Sequence, residues 1–272
     1  MSQGLANTDP SQICLCPNTD IEWAIHLNIR LEDHVMALPK KKRSKSRKSA
    51  LVVWGGWNGH TPKACADLFA PWLESKGLRV VVSDSLDIYT NKRKMRAFDL
   101  IVPIWTMGEI SWAQWGGLRD AILHGAHVAG WHGGMCDSFR NNTEYQFMTG
   151  GQWVVHPGGV IRYKVNVTDH KDPITRGLKN FWVNSEQYYL HTDPSNEVLA
   201  TTTFSGKHGG TPWIKGTVMP VIWKRRYGKS RIFYTSLGHV ADDFKNPAAL
   251  EIVKRGMMWA VGDKIVPEYN AA

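Results

Sequence analysis

The chain of 272 residues holds only four cysteines, Cys14, Cys16, Cys65 and Cys136, and they do not form paired CxxC knuckles. That argues against a zinc-ribbon module. Four cysteines in so long a chain do not make a disulfide scaffold either, so reduced thiols in a cytoplasmic protein are the expectation. No apolar run approaches the roughly 18–20 residues that a spanning helix needs, and no membrane partner is expected. A charged segment followed by an apolar one, the mark of a secretory signal, is missing from the N-terminus. GxSxG, HExxH, GxGxxG and GxxxxGK[ST] are missing too. There is thus no positive case for a serine-hydrolase elbow, a dinucleotide site or a P-loop, and no nucleotide cofactor is expected.

Acidic residues are scarce in one place. The net charge is +9, and the stretch KKKRSKSRK at 40–48 carries seven positive charges and no negative one. From Leu51 onward 25 basic residues face 19 acidic ones, without a long basic stripe. The basic leader therefore inflates the charge, and nucleic acid is not the expected partner. Residues 1–49 read as a basic, disordered extension, with residues 1–35 an over-extended start ahead of Met36. A polyanion-binding or nuclear-localisation tract at Pro39–Lys48 is the functional alternative.

What is present is a rhythm. Ala50–Trp54 reads as a strand and Thr61–Gly77 as a helix, with Pro62 in its first turn and Gly77 as its stop. Strands follow at Leu78–Ser83 and Phe98–Trp105, the latter after a short basic helix around Asn91–Arg96. A helix at Ser111–Gly125 sets Trp112, Trp115, Leu118 and Ile122 along one face, and His127–Trp131 is a fourth strand. Alternating strands and helices imply a doubly wound, mostly parallel α/β sheet. Beyond residue 150 the pattern becomes alternating: strands at Gly159–Val167, Asn180–Leu190 and Glu197–Thr203, then a hairpin of Met219–Lys224 with Arg231–Ser236. These are antiparallel additions, closed by a helix at Pro247–Val261. The α/β domain is expected over residues 50–263, with 264–272 a C-terminal tail.

The most informative segment is HVAGWHGGMC at 127–136. A buried strand ends in His132, followed by Gly133 and Gly134, which permit a sharp turn whose backbone can face a ligand. In open α/β sheets ligands bind beyond the carboxyl ends of the strands, where His132 would lie. Further histidines sit beside glycines or prolines at predicted loop tips: His60 in GGWNGHTP, His156 in VVHPGG and His239 in TSLGH, with His191 after EQYYL. His60 and His132 both follow parallel strands, and His239 joins them if its strand runs the same way. In SEQYYLH, strict alternation would put Glu186 and Tyr188 on one side and Gln187 on the other. Trp54, Trp57, Trp105 and Trp131 at strand ends are either core filler or platforms for the apolar faces of a sugar. Histidine and carboxylate together suit proton transfer. Histidines with a glutamate could instead hold Zn²⁺ or another divalent ion, with His60, His132 and His239 as candidate ligands.

With GGWNGHTP, WHGGMCDSFRNN, GGQWVVHPGG, NSEQYYLH and GKSRIFYTSLGH in that order, the chain closely resembles the ThuA-like, or trehalose utilisation, family. The resemblance runs from about Leu51 to Gly262. It implies a flavodoxin-like fold similar to class I glutamine amidotransferases, in which a nucleophilic cysteine occupies the strand-to-helix elbow. Here that turn carries His132, and Cys136 lies four residues later, so amidotransferase chemistry is not implied. What the resemblance implies is catabolism of trehalose and related disaccharides beside an NAD-dependent sugar oxidoreductase that makes 3-keto sugars. The expected enzyme moves protons on such a substrate through His132, Glu186 and His239. His60, Trp54, Trp57, Gly133, Gly134, His156, Gln187 and Tyr188 would bind it. A non-catalytic sugar-binding or regulatory module and a metal-dependent hydrolase of another substrate are the alternatives, and homo-oligomerisation is a further expectation.

Overall fold

The structure is a computed structural model and describes residues 47–269. Most of the basic leader, and the assignments made for it, lie outside those residues. Its last two side chains are committed to the domain. Arg47 donates to the carbonyls of Gly77 and Leu78 (2.7 and 2.9 Å), and Lys48 pairs with Asp263 at 2.8 Å.

The first half alternates as the hydrophobic pattern requires. β1 (Ser49–Gly56), α1 (Pro62–Ser75), β2 (Arg79–Ser83), α2 (Lys92–Met95), β3 (Leu100–Thr106), α3 (Trp112–Leu123) and β4 (His127–Trp131) follow in order. β1 is buried from Ser49 to Val53, as a strand covered on both faces must be. α3 starts on a reciprocal capping box between Ser111 and Gln114. Trp115, Leu118 and Ile122 of α3 are buried, whereas Trp112, in its first turn, is 79% exposed and leaves the predicted stripe.

After β4 come α4 (Gly133–Cys136), α5 (Thr143–Thr149), β5 (Gly151–Val155), β6 (Val160–Val167), β7 (Phe181–Glu186), β8 (Tyr189–Thr192), β9 (Glu197–Thr203), β10 (Val218–Tyr227), β11 (Ser230–Thr235) and α6 (Pro247–Val261). The large sheet has the order β2-β1-β3-β4-β11-β10-β9-β6-β7. β2, β1, β3, β4 and β11 are parallel, and the four strands after β11 pair antiparallel. One core packs beneath α1 and α6, with Phe69, Leu73, Ile252 and Met257. A second packs beneath α3 and α5, with Trp115, Leu118 and Tyr145.

Two readings of the second half need correction. The stretch expected as one strand at Asn180–Leu190 is two strands in different sheets: β7 pairs with β6, and β8 with β5. The break falls at Gln187 and Tyr188, so alternation does not decide where Glu186 and Tyr188 point. β6 meets β9 only through Asn166 and Val167, and its preceding residues pair with β7. β6 and β7 thereby extend the edge of the sheet and bring Glu186 to the carboxyl ends of the parallel strands. Within the segment expected as a tail, Ile265 and Tyr269 pack on the α1–α6 core.

Candidate functional site

Four parallel strands deliver side chains to one end of the sheet. His60 follows β1, Thr106 ends β3, His132 follows β4, and His239 follows β11, which runs parallel to β4. His132 occupies the turn with φ +48° and ψ −140°, outside the regions a β-carbon favours, so this backbone carries strain. Its N–H donates to the carbonyl of Thr235 at 2.7 Å, and its carbonyl accepts from Cys136 N at 3.0 Å, which pins the turn between β11 and α4. Gly133 is required beside it. A β-carbon there would lie 2.6 Å from His60 Cε1 and 2.7 Å from His60 Nδ1.

Glu186 enters from β7 and meets four imidazoles. Its Oε2 lies 3.5 Å from His132 Nε2 and 3.9 Å from His60 Nε2. Its Oε1 lies 3.6 Å from His156 Nε2 and 3.7 Å from His239 Nε2. The two sides differ in access. The side chains of His132 and His60 are 1% and 8% exposed, those of His239 and His156 14% and 33%. Glu186 therefore has a sealed side and a more open one.

Two of the outer nitrogens are held in place. His132 Nδ1 is 2.9 Å from Tyr188 Oη, and His60 Nδ1 is 2.8 Å from Thr106 Oγ1. His239 is set by its backbone N–H, which donates to Asp243 Oδ2 at 3.0 Å; the same oxygen accepts from Ser185 Oγ at 2.5 Å. Thr61 Oγ1 accepts from Ala241 N at 2.9 Å, tying the His60 loop to the His239 loop. Trp57, 47% exposed, stands edge-on to His60 with ring centroids 4.7 Å apart.

Electrostatics follow from burial. Loss of water, and then the neighbouring imidazoles, hold His60 down to about 3 and His132 well below the ordinary histidine range. Burial also lowers His156. It raises the Glu186 carboxyl against the opposing pull of His239, with Asp137 and Asp243 adding to the rise. The cluster is thus mostly neutral imidazole around a carboxyl of raised affinity for protons. Cys136 is buried and its thiol is pushed far up by desolvation, so no activated thiol stands at the elbow.

Of the residues singled out in the sequence, His60, His132, Glu186, His156 and His239 converge, with Gly133 and Tyr188 in contact. Gly134 is packed 3.1 Å (from the position of an added Cβ) against Ile104 Cα, beneath the turn. Gln187 turns away, donating to Thr202 Oγ1 at 2.7 Å. Trp54 packs on the core, Trp131 stacks on Phe69 and Phe244, and His191 is exposed in β8. Thr106 and Asp243 were not anticipated. Thr106, as a polar end to an apolar strand, and Asp243, four residues after His239, carried the signal.

The family model for ThuA, trehalose utilisation, matches residues 49–260. The chain belongs to the ThuA family. Among solved structures it is similar to a protein described as ThuA-like from Bacteroides uniformis (TM-score 0.66, 16% identity), covering 82% of this chain and 95% of that one. A protein so described from Parabacteroides merdae gives a TM-score of 0.62 at 17% identity, covering 83% and 95%. A β-galactosidase from Bacillus circulans gives 0.52 at 10% identity, covering 80% of this chain and 32% of that one. These likenesses show the fold. No curated protein matches the chain. Among the described residues of this ThuA-family chain, no helix is long and apolar enough to cross a membrane.

Proposed function

We propose that this ThuA-family protein is a cytoplasmic enzyme of disaccharide catabolism that moves protons on a keto-sugar such as 3-keto-trehalose. The order of its parallel strands, β2-β1-β3-β4-β11, supports reading that half as a flavodoxin-like sheet with its site at the strand ends. The observation that carries the functional reading is the open side of Glu186, where Oε1 faces His156 Nε2 and His239 Nε2 at 3.6 and 3.7 Å. Those gaps are too long for direct hydrogen bonds, and they bring three groups able to exchange protons together on the more exposed side of the cluster.

A 3-keto group acidifies the neighbouring C–H. One imidazole of the pair takes that proton as the base, and the electron pair moves onto the carbonyl oxygen to give an enolate. Glu186, as a carboxylate, balances the imidazolium so formed; return of the proton to a different carbon completes an isomerisation, and its delivery to a departing β-oxygen as that C–O bond breaks completes an elimination. Proton transfer is assigned to His239 and His156 rather than to His132, because His132 is sealed behind Glu186. Trp57 offers an exposed indole for a sugar face at the rim. The 3-keto group would be installed by an NAD-dependent sugar oxidoreductase.

The test is to incubate the purified protein with 3-keto-trehalose and follow its consumption by mass spectrometry. Consumption that is lost in His239→Ala supports the reading. Unchanged substrate, with and without added divalent metals, overturns it. Saturable binding of the sugar without turnover assigns a binding module instead.

A further inference from the structure

The sealed side of Glu186 has no part in that proton transfer, yet it is the more carefully built. His132 Nε2 and Glu186 Oε2 are both buried and neither makes a hydrogen bond among the described residues, although they lie 3.5 Å apart. Burying two such atoms without partners costs roughly 1–3 kcal/mol each, and more for a charged carboxylate. Native proteins rarely leave a pair of that kind facing one gap. His60 Nε2 completes a triangle, since the three ligand atoms all lie within 4.8 Å of one another.

We propose that His60 Nε2, His132 Nε2 and Glu186 Oε2 ligate a divalent first-row transition ion such as Zn²⁺. Bonds of about 2.0–2.2 Å in a tetrahedral set put ligand atoms about 3.3–3.5 Å apart. The 3.5 and 3.9 Å separations from Oε2 need only a slight contraction to reach that. Two imidazoles and one carboxylate form a nitrogen–oxygen set suited to such an ion, and three protein ligands leave a position for water or substrate.

The outer nitrogens give an independent sign. A metal-ligating histidine normally donates its other ring N–H to a fixed acceptor, which sets the tautomer. His132 Nδ1 has Tyr188 Oη and His60 Nδ1 has Thr106 Oγ1, both within 2.9 Å and both buried. Both hydroxyls can accept from those N–H groups, and in that tautomer both Nε2 lone pairs face Glu186 Oε2. Three acceptors around one gap repel unless a cation stands between them. Gly133 fits the same picture, because only a residue without a β-carbon lets His60 come this close to the His132 turn.

The site deepens the proposed function but does not depend on it. It takes Glu186 Oε2 and leaves Oε1, His156 and His239 toward the substrate.

The test uses the full chain, stripped with chelator and titrated with Co²⁺, read by its visible absorption and by equilibrium dialysis with elemental analysis. One Co²⁺ per chain, displaced by Zn²⁺, is expected, with binding lost in His132→Ala and Glu186→Gln. Tyr188→Phe keeps the ring and removes only the hydroxyl, and is expected to weaken binding by roughly 10–100-fold. His156→Ala is expected to keep one Co²⁺ per chain. No saturable binding by the wild type, or binding that survives His132→Ala and Glu186→Gln, overturns the site. So does unchanged affinity in Tyr188→Phe. Metal binding without consumption of the keto-sugar sinks the proposed function alone, and consumption by the stripped protein that takes up no Co²⁺ sinks the metal site alone.

Discussion

His132 Nε2 and Glu186 Oε2 face each other across 3.5 Å, buried and without hydrogen bonds among the described residues, although they lie 54 positions apart in the chain. One sits on a strained turn after a parallel strand, the other at the end of an antiparallel hairpin. Their meeting defines the site.

Glu186→Gln keeps the shape of the side chain and removes its ability to accept a proton or balance charge. Turnover of the keto-sugar is expected to fall by roughly 10²–10⁴-fold, because the imidazole that takes the proton loses its counter-charge. Mass spectrometry of a time course checks it, and an unfolding curve confirms that the variant keeps its fold.

The turn at His132 makes a prediction about stability alone. His132→Gly and His132→Ala both delete the imidazole, but only alanine retains a β-carbon at φ +48°. The glycine variant is expected to be the more stable by about 1 kcal/mol, reversing the usual order of the two residues. Urea denaturation of the pair reads the difference directly.

Arg255 is 2% exposed and holds the C-terminal segment. Its Nε donates to Glu251 Oε1 at 2.6 Å, and its other nitrogens donate to the carbonyls of Arg176 and Tyr269 at 2.6 and 2.8 Å. Arg255→Met strands the Glu251 carboxylate and these carbonyls, at a cost of about 3–5 kcal/mol. Denaturant titration measures the cost, and limited proteolysis should show earlier cutting beyond Gly262.

Glu268 provides a pH dependence. Partial burial disfavours its charge, but hydrogen bonds from Lys254, Lys76 and Trp72 outweigh this and hold the carboxyl at about 2, against 4.5 for a free glutamate. The folded state thus binds this proton less readily than the unfolded chain. The stabilisation is complete above about pH 4.5 and disappears as pH falls through about 2. Glu268→Gln is expected to be less stable than wild type at pH 7, by a modest amount because the group is about a third exposed, and to converge with it in acid. Denaturation midpoints across that range decide the matter.

Much of the fold was legible from local rules. Buried apolar runs, Pro62 at a helix start and Gly77 as its stop act through neighbours in sequence, so their elements lie near where the pattern puts them. Histidines beside glycines at the ends of β1, β4 and β11 were legible for the same reason, since parallel strands send their following loops to one end of the sheet. Period-two alternation failed at Ser185–His191 because the chain changes sheets there, and a strand's pairing partner is not a local property.

The sequence by itself determined the alternating architecture, the elbow histidine and the roster of imidazoles, because hydrophobic period and turn chemistry act over a few residues. Tertiary structure alone decided that Glu186 sits at the centre with two imidazoles on each oxygen, that Gln187 turns away and that Trp131 is core filler. Those outcomes depend on how β6 and β7 extend the edge of the sheet and on burial, which strips water from the cluster.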